Sequence, residues 1–271
     1  MSTSFKGPIL GNADSMAGAL SGAPVGLFAD SRWGVYFNDF NHAGIDYVES
    51  IGQWTATPVS FGGTALIVEG NDNGILRLDC PNNLDGPIVQ FDSEAAAGLS
   101  ILGVTPTAGS ATASESDALF VSRFRISNVL TEGIFVGLAE LNASSPVIGT
   151  PGGAITSDTH IGFSQAAGDN GSLIFSAAGS VAAAAEATTS VVTLANLEWV
   201  DIAVRARGTG HYAGYVKKGG QNSNWAKVAE GTLASPWNAQ MLITFANLGA
   251  GTGDDLDIDY CSLSVKRDLI A

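Results

Sequence analysis

Apolar and polar residues alternate with a period of two along most of the chain, the pattern of strands with one face turned to a core. It is clearest in ALFVSRFRISNVLTEGIFVGLAE, residues 118–140. Phe120, Phe124 and Ile126 share one face, interrupted only by Ser122, while Leu119, Val121, Arg123 and Arg125 share the other. Ile134, Val136 and Leu138 then alternate with Phe135 and Gly137, and the connection 127–133 is polar and Gly-ended, so the pattern predicts a β-hairpin here. Further strands are predicted at 33–37, 63–68, 74–80, 87–91, 160–164, 172–177, 199–207, 212–216, 241–245 and 256–260. The steps GNDNG at 70–74 and GDNG at 168–171 predict tight hairpins, because Asn-Gly tolerates positive φ at both central positions.

About twelve short strands, no long helical period and no βαβ rhythm predict an all-β fold: an antiparallel two-sheet β-sandwich or jelly roll. This domain spans residues 33–271. Residues 1–32 differ, being rich in Gly, Ala and Ser and broken by Pro8 and Pro24. We expect an extended N-terminal arm whose apolar clusters, Phe5, Pro8, Ile9, Leu10, Val25, Leu27 and Phe28, are buried on a neighbouring subunit. The Ala-, Ser- and Thr-rich stretch 93–117 reads as a long connection with a short helix at 93–97, and 141–159 as a long Gly- and Pro-rich loop.

Composition narrows the function classes. Twelve Lys and Arg against 26 Asp and Glu give a net charge of −14, which disfavours nucleic acid as a partner, since phosphate neutralisation needs a basic patch. Charged residues make up 14% of the chain, against about 25% in an average globular protein, so Ser, Thr, Asn and Gly must supply much of the polar surface. No apolar run approaches the ~18 residues of a membrane span, and the start MSTSFKGPIL has no export-leader pattern, so no membrane partner is expected. Cys80 and Cys261 read as two reduced, packed thiols.

Candidate chemistry is sparse. In GDDLDIDY, Asp255, Asp257 and Asp259 share one face of a strand, but no Glu accompanies them and no partner strand of carboxylates is visible. A glycosidase needs two carboxylates about 5 to 10 Å apart, so the stripe reads as a solvated edge face, with Ca²⁺ as a lesser reading. His42, His160 and His211 show no HExxH or HxH spacing, and no serine lies in a GxSxG elbow. GTPGG at 149–153 and GAGTG at 249–253 lack the GK[ST] ending of a phosphate cradle. We therefore expect no enzyme activity, no metal and no cofactor. Of the five tryptophans, Trp33, Trp54, Trp199, Trp225 and Trp237, the polar contexts QNSNWAKV and ASPWNAQ make Trp225 and Trp237 the candidate glycan-contact residues, against ordinary packing.

Taken together, VYFNDF (35–40), LFVSRFRISNVLTEGIFVGLAE (119–140), HIGF (160–163), WVDIAVRARGTGHYAGYV (199–216) and LDIDYCSLSV (256–265) resemble structural proteins of tailed bacteriophages with laminin-G-like, concanavalin-A-like jelly rolls. FKGPIL at 5–10 is similar to the start of some phage head-associated proteins. Catalytic members of the concanavalin-A-like group carry an ExDxxE-type strand, which this sequence lacks. The resemblance implies a non-enzymatic virion protein, a capsid decoration or cement protein assembled in the host cytoplasm and fixed to the capsid surface through its arm. Its partners would be the major capsid protein and sister subunits in a homo-oligomer. The alternative is a lectin-like tail or receptor-binding module with a surface glycan as partner.

Overall fold

The computed structural model describes residues 33–38, 54–58, 64–68, 74–82, 86–91, 117–140, 159–179, 186–187, 190–207, 209–218, 223–234 and 241–266. The arm with its contact residues, Trp237, the loop 141–158 and the connection 92–116 lie outside them. Among the described residues sixteen strands run in chain order: β1 (Trp33–Asn38), β2 (Trp54–Pro58), β3 (Thr64–Val68), β4 (Ile75–Cys80), β5 (Pro87–Phe91), β6 (Asp117–Ile126), β7 (Glu132–Glu140) and β8 (His160–Gln165). Then follow β9 (Ser172–Ala178), β10 (Glu186–Ala187), β11 (Val192–Thr193), β12 (Val200–Arg207), β13 (His211–Lys218), β14 (Ala226–Thr232), β15 (Met241–Gly249) and β16 (Asp254–Lys266).

They form two antiparallel eight-stranded sheets packed as a sandwich. The first has the order β14-β13-β12-β6-β16-β4-β3, with β1 also paired to β16; the second has β10-β9-β8-β7-β15-β5-β2, with β11 paired to β9. The expected all-β sandwich is present. The predicted hairpin pairings are present, with the turn residues 70–73 outside the described residues. β3 pairs with β4 and β8 with β9, and in GDNG the positions Gly168, Asn170 and Gly171 take φ of 89°, 54° and 80°.

The predicted central hairpin is not formed. β6 lies between β12 and β16 in the first sheet and β7 between β8 and β15 in the second, so residues 127–131 carry the chain from one sheet to the other. Both strands turn an apolar face inward, and those faces meet across the core instead of lying side by side. A period of two reports that a segment is a strand and which face is apolar; it is silent about which strand lies beside it.

Phe120, Phe124, Phe163, Phe175 and Phe245 are fully buried between the sheets with Leu76, Leu78 and Ile258. Phe120 meets Phe245 at 6.4 Å between ring centres, and Phe175 stacks on Tyr212 at 5.6 Å, each pair joining one sheet to the other. Burial of this kind contributes about 1.5–3 kcal/mol per large apolar side chain and holds the two layers together. Cys80 and Cys261 are buried and not joined in a disulfide, and Cys80 Sγ donates to the Asn247 carbonyl at 3.6 Å.

A β-bulge between Ile258 and Tyr260 changes the face that β16 presents. Leu256 and Ile258 point to the core before it, and Cys261 and Leu263 after it. Tyr260, which strict alternation with Leu256 and Ile258 would set on the core face, is thereby turned to the outer side with the aspartates.

Candidate functional site

The outer face of the first sheet carries a ladder of charged side chains. β16 is not an edge strand: its first half pairs with β4 on one side and β6 on the other. That register sets Asp257 opposite both Arg77 and Arg125. Its carboxylate, with 2% of the side chain exposed, accepts from Arg77 Nε at 2.7 Å and Nη2 at 3.0 Å, and from Arg125 Nε at 3.0 Å and Nη2 at 2.9 Å. Asp255 pairs with Arg77 Nη1 at 3.1 Å, and Asp259 with Arg123 Nη1 at 3.3 Å. The stripe read as a solvated edge face is therefore an ion-pair network in the interior of a sheet.

Trp199, just before β12, completes the surface. The guanidinium groups of Arg125 and Arg123 lie 4.6 and 5.2 Å from its ring centre, a cation–π arrangement that fixes the indole at the end of the ladder. In the adjoining row, Tyr260 Oη donates to Asp201 at 2.8 Å. Beyond it the face becomes apolar, with Leu119, Val121, Ala203, Ala213, Tyr215 and Trp225 in one buried cluster against Tyr260. Trp225, a candidate glycan contact, is only 6% exposed in that cluster and presents no free ring face for stacking.

Electrostatics follow from this half-buried setting. Burial, reinforced by a hydrogen bond with Asp79 and opposed by Arg77, pushes the Asp255 carboxyl up to about 6. Burial likewise raises Asp259 against the pull of Arg123, and the hydrogen bond to Asp257 holds Arg77 above its ordinary value. Tyr260 is raised by burial and by the adjacent Asp201. The ladder thus presents carboxylate acceptors, guanidinium donors and one aromatic ring, all immobilised by one another. Such a surface suits a polyhydroxylated ligand, whose hydroxyls both donate and accept.

On the outer side of the second sheet His160 Nε2 lies 2.8 Å from Ser176 Oγ; both residues are buried, and His160 packs edge-on against Phe135 at 5.9 Å. Among the described residues, no group of three or more His, Cys, Asp and Glu is placed to hold a metal ion. No described helix is long and apolar enough to cross a membrane.

No protein-family model matches the chain, and no curated protein sequence matches it. Solved structures do. A protein of unknown function from Shewanella oneidensis MR-1 superposes with a TM-score of 0.57 at 13% identity, over 88% of this chain and 89% of that one. Peanut lectin gives 0.55 at 15% identity over 86% and 97%, and lectin II from Ulex europaeus 0.56 at 12% identity over 86% and 98%. The fold is the legume-lectin, concanavalin-A-like jelly roll. At these identities the likeness is one of fold.

Proposed function

We propose that the protein is a non-catalytic carbohydrate-binding module whose binding surface is the Asp–Arg–Trp ladder on the outer face of the first sheet. The observation that carries this reading is the set Arg77, Asp255, Arg123, Asp259 and Arg125, each 19–30% exposed, beside Trp199, a fixed array of donors and acceptors next to an aromatic ring. The fold is shared with lectins, one of them, lectin UEA-II, solved in complex with galactose. Binding without turnover is favoured because the ladder's carboxylates are held by guanidinium groups; Asp257 in particular is enclosed and has no freedom to serve as an acid or nucleophile. The test is a glycan array probed with the full chain and with Trp199→Ala. Saturable binding to a sugar class, lost in the variant, supports the reading; equal binding by both proteins would move the site elsewhere.

The setting we propose is a virion surface, with the capsid and sister subunits as partners; it rests on the phage resemblance and on residues 1–32. Copy number in purified particles, by quantitative mass spectrometry, tests it. Hundreds of copies fit a coat, a handful fit a tail module, and absence removes the virion setting while leaving the glycan reading intact.

A further inference from the structure

At one end of the sandwich a glutamate is buried among acceptors that have no donor. Glu132 opens β7 and is fully buried. Its Oε2 accepts from the Asn128 amide at 2.6 Å and from Ser127 Oγ at 3.3 Å, whereas no donor among the described residues reaches Oε1. Gln165 on β8 and Asn247 on β15 both lie opposite Ile134, flanking β7 two residues further along the face that bears Glu132. They too are buried, and among the described residues no donor reaches Gln165 Oε1 or Asn247 Oδ1. The orientation of both amides is fixed. Gln165 Nε2 donates to the carbonyls of Val129 and Glu132, and Asn247 Nδ2 to those of Leu78 and Asp254, so turning either amide over would set oxygen against oxygen. Three buried acceptors at this end of β7 and its two neighbours, none reached by a donor among the described residues, are an unsatisfied arrangement for an ionised side chain.

We infer that Glu132 is held as a neutral carboxylic acid, its proton turning the buried Oε1 from an acceptor without a donor into a donor, and that it acts as an alkali-sensitive latch on the turns at this end of the sandwich. The charged groups that face it are carboxylates, Asp254 and Asp255 of β16. Burial together with these two outweighs the hydrogen bonds from Asn128 and Ser127 and pushes Glu132 up to about 9. The turns it secures are joined to one another. Val129 N donates to Asn196 Oδ1 at 2.9 Å, Leu197 N to the Ile126 carbonyl at 2.7 Å, Gly168 N to the Leu130 carbonyl at 2.9 Å and Ala250 N to the Thr131 carbonyl at 2.8 Å. Ser127 Oγ also accepts from the Asp255 amide at 2.8 Å, so the latch reaches the first aspartate of the ladder. Ionisation would leave a charge facing two carboxylates and would loosen this end while the sheets stay paired.

The experiment uses the full chain with ¹³C-labelled glutamate, following the Glu132 carboxyl carbon and the exchange protection of the Asn128, Val129 and Leu197 amides, corrected for intrinsic exchange, against pH. Expected are a neutral-acid signal at neutral pH that converts as the pH passes about 9, and a loss of protection by at least about tenfold in the same step. Glu132→Gln carries a permanent N–H donor and should keep its protection across the whole range. An ionised Glu132 at neutral pH, or the same pH step in Glu132→Gln, would overturn the inference. Should that variant fail to fold, the wild-type carboxyl titration still decides.

Discussion

Removing Asp257 is the sharpest perturbation of the ladder. Its enclosed carboxylate holds Arg77 and Arg125 through four contacts of 2.7–3.0 Å. Charge-assisted hydrogen bonds contribute about 1.5–3 kcal/mol each where the partner is left buried and unpaired. The side chains of Arg77 and Arg125 are 30% and 24% exposed, so part of each guanidinium regains water once Asp257 is gone, and removing a buried carboxylate also relieves its own desolvation. For Asp257→Ala these opposing effects leave a loss of about 2–4 kcal/mol. Arg125 would also lose what aims it at Trp199, so the indole emission should shift. The assay is urea unfolding of the wild type, Arg77→Met, Asp257→Ala and the double variant, compared at constant m-value, with a coupling of about 1–2 kcal/mol expected between the two sites. A loss below about 0.5 kcal/mol with no coupling would refute the reasoning and return the stripe to a solvated face.

Gly162→Ala should cost about 3 kcal/mol in urea unfolding, because its Cβ would lie 2.6 Å from the Val136 carbonyl oxygen and 2.8 Å from the Phe135 ring. Stability should fall as pH rises: Glu132 is raised from its ordinary 4.5 to about 9, so its contribution is full below 4.5 and is lost as the pH climbs through 9. The span amounts to on the order of 5 kcal/mol, read as a urea midpoint that falls more steeply with pH in the wild type than in Glu132→Gln, where only the other raised groups, Asp255 among them, still contribute. Leu197 is more than half exposed at a left-handed φ of 59°, so Leu197→Val should lower stability by about 1–2 kcal/mol while Leu197→Asn leaves the melting temperature unchanged or higher.

Strand faces were legible in the sequence where one side is buried and the other is not. The second half of β6 shows it, with Phe124 and Ile126 buried and Arg123 and Arg125 partly exposed, and the GDNG turn fixes the hairpin of β8 and β9. Pairing across long separations was not legible. The 127–131 connection looks like a hairpin loop, yet it crosses between sheets, because two inward apolar faces can meet across a core as readily as they can share a sheet. β14 escaped notice for a different reason: as an edge strand it buries only Ala229, so AKVAEGT shows no alternation. The ladder was visible in halves. Arg123 and Arg125 face outward on one strand and Asp255, Asp257 and Asp259 on another 130 residues away, and only the register of β16 against β4 and β6 makes them one surface. The bulge that turns Tyr260 outward leaves no mark in LDIDYCSL, since both faces of that segment mix polar and apolar residues.

The claim that the ladder binds sugar is tested most directly by a ¹⁵N NMR titration of the full chain with the glycan selected on the array, reading the indole N–H of Trp199 and the Nε–H groups of Arg77, Arg123 and Arg125. The account predicts saturable shifts confined to these signals and their neighbours, with the ligand recovered intact. Shifts centred on Trp237 or the arm while the ladder stays silent, or conversion of the ligand to product, would contradict it.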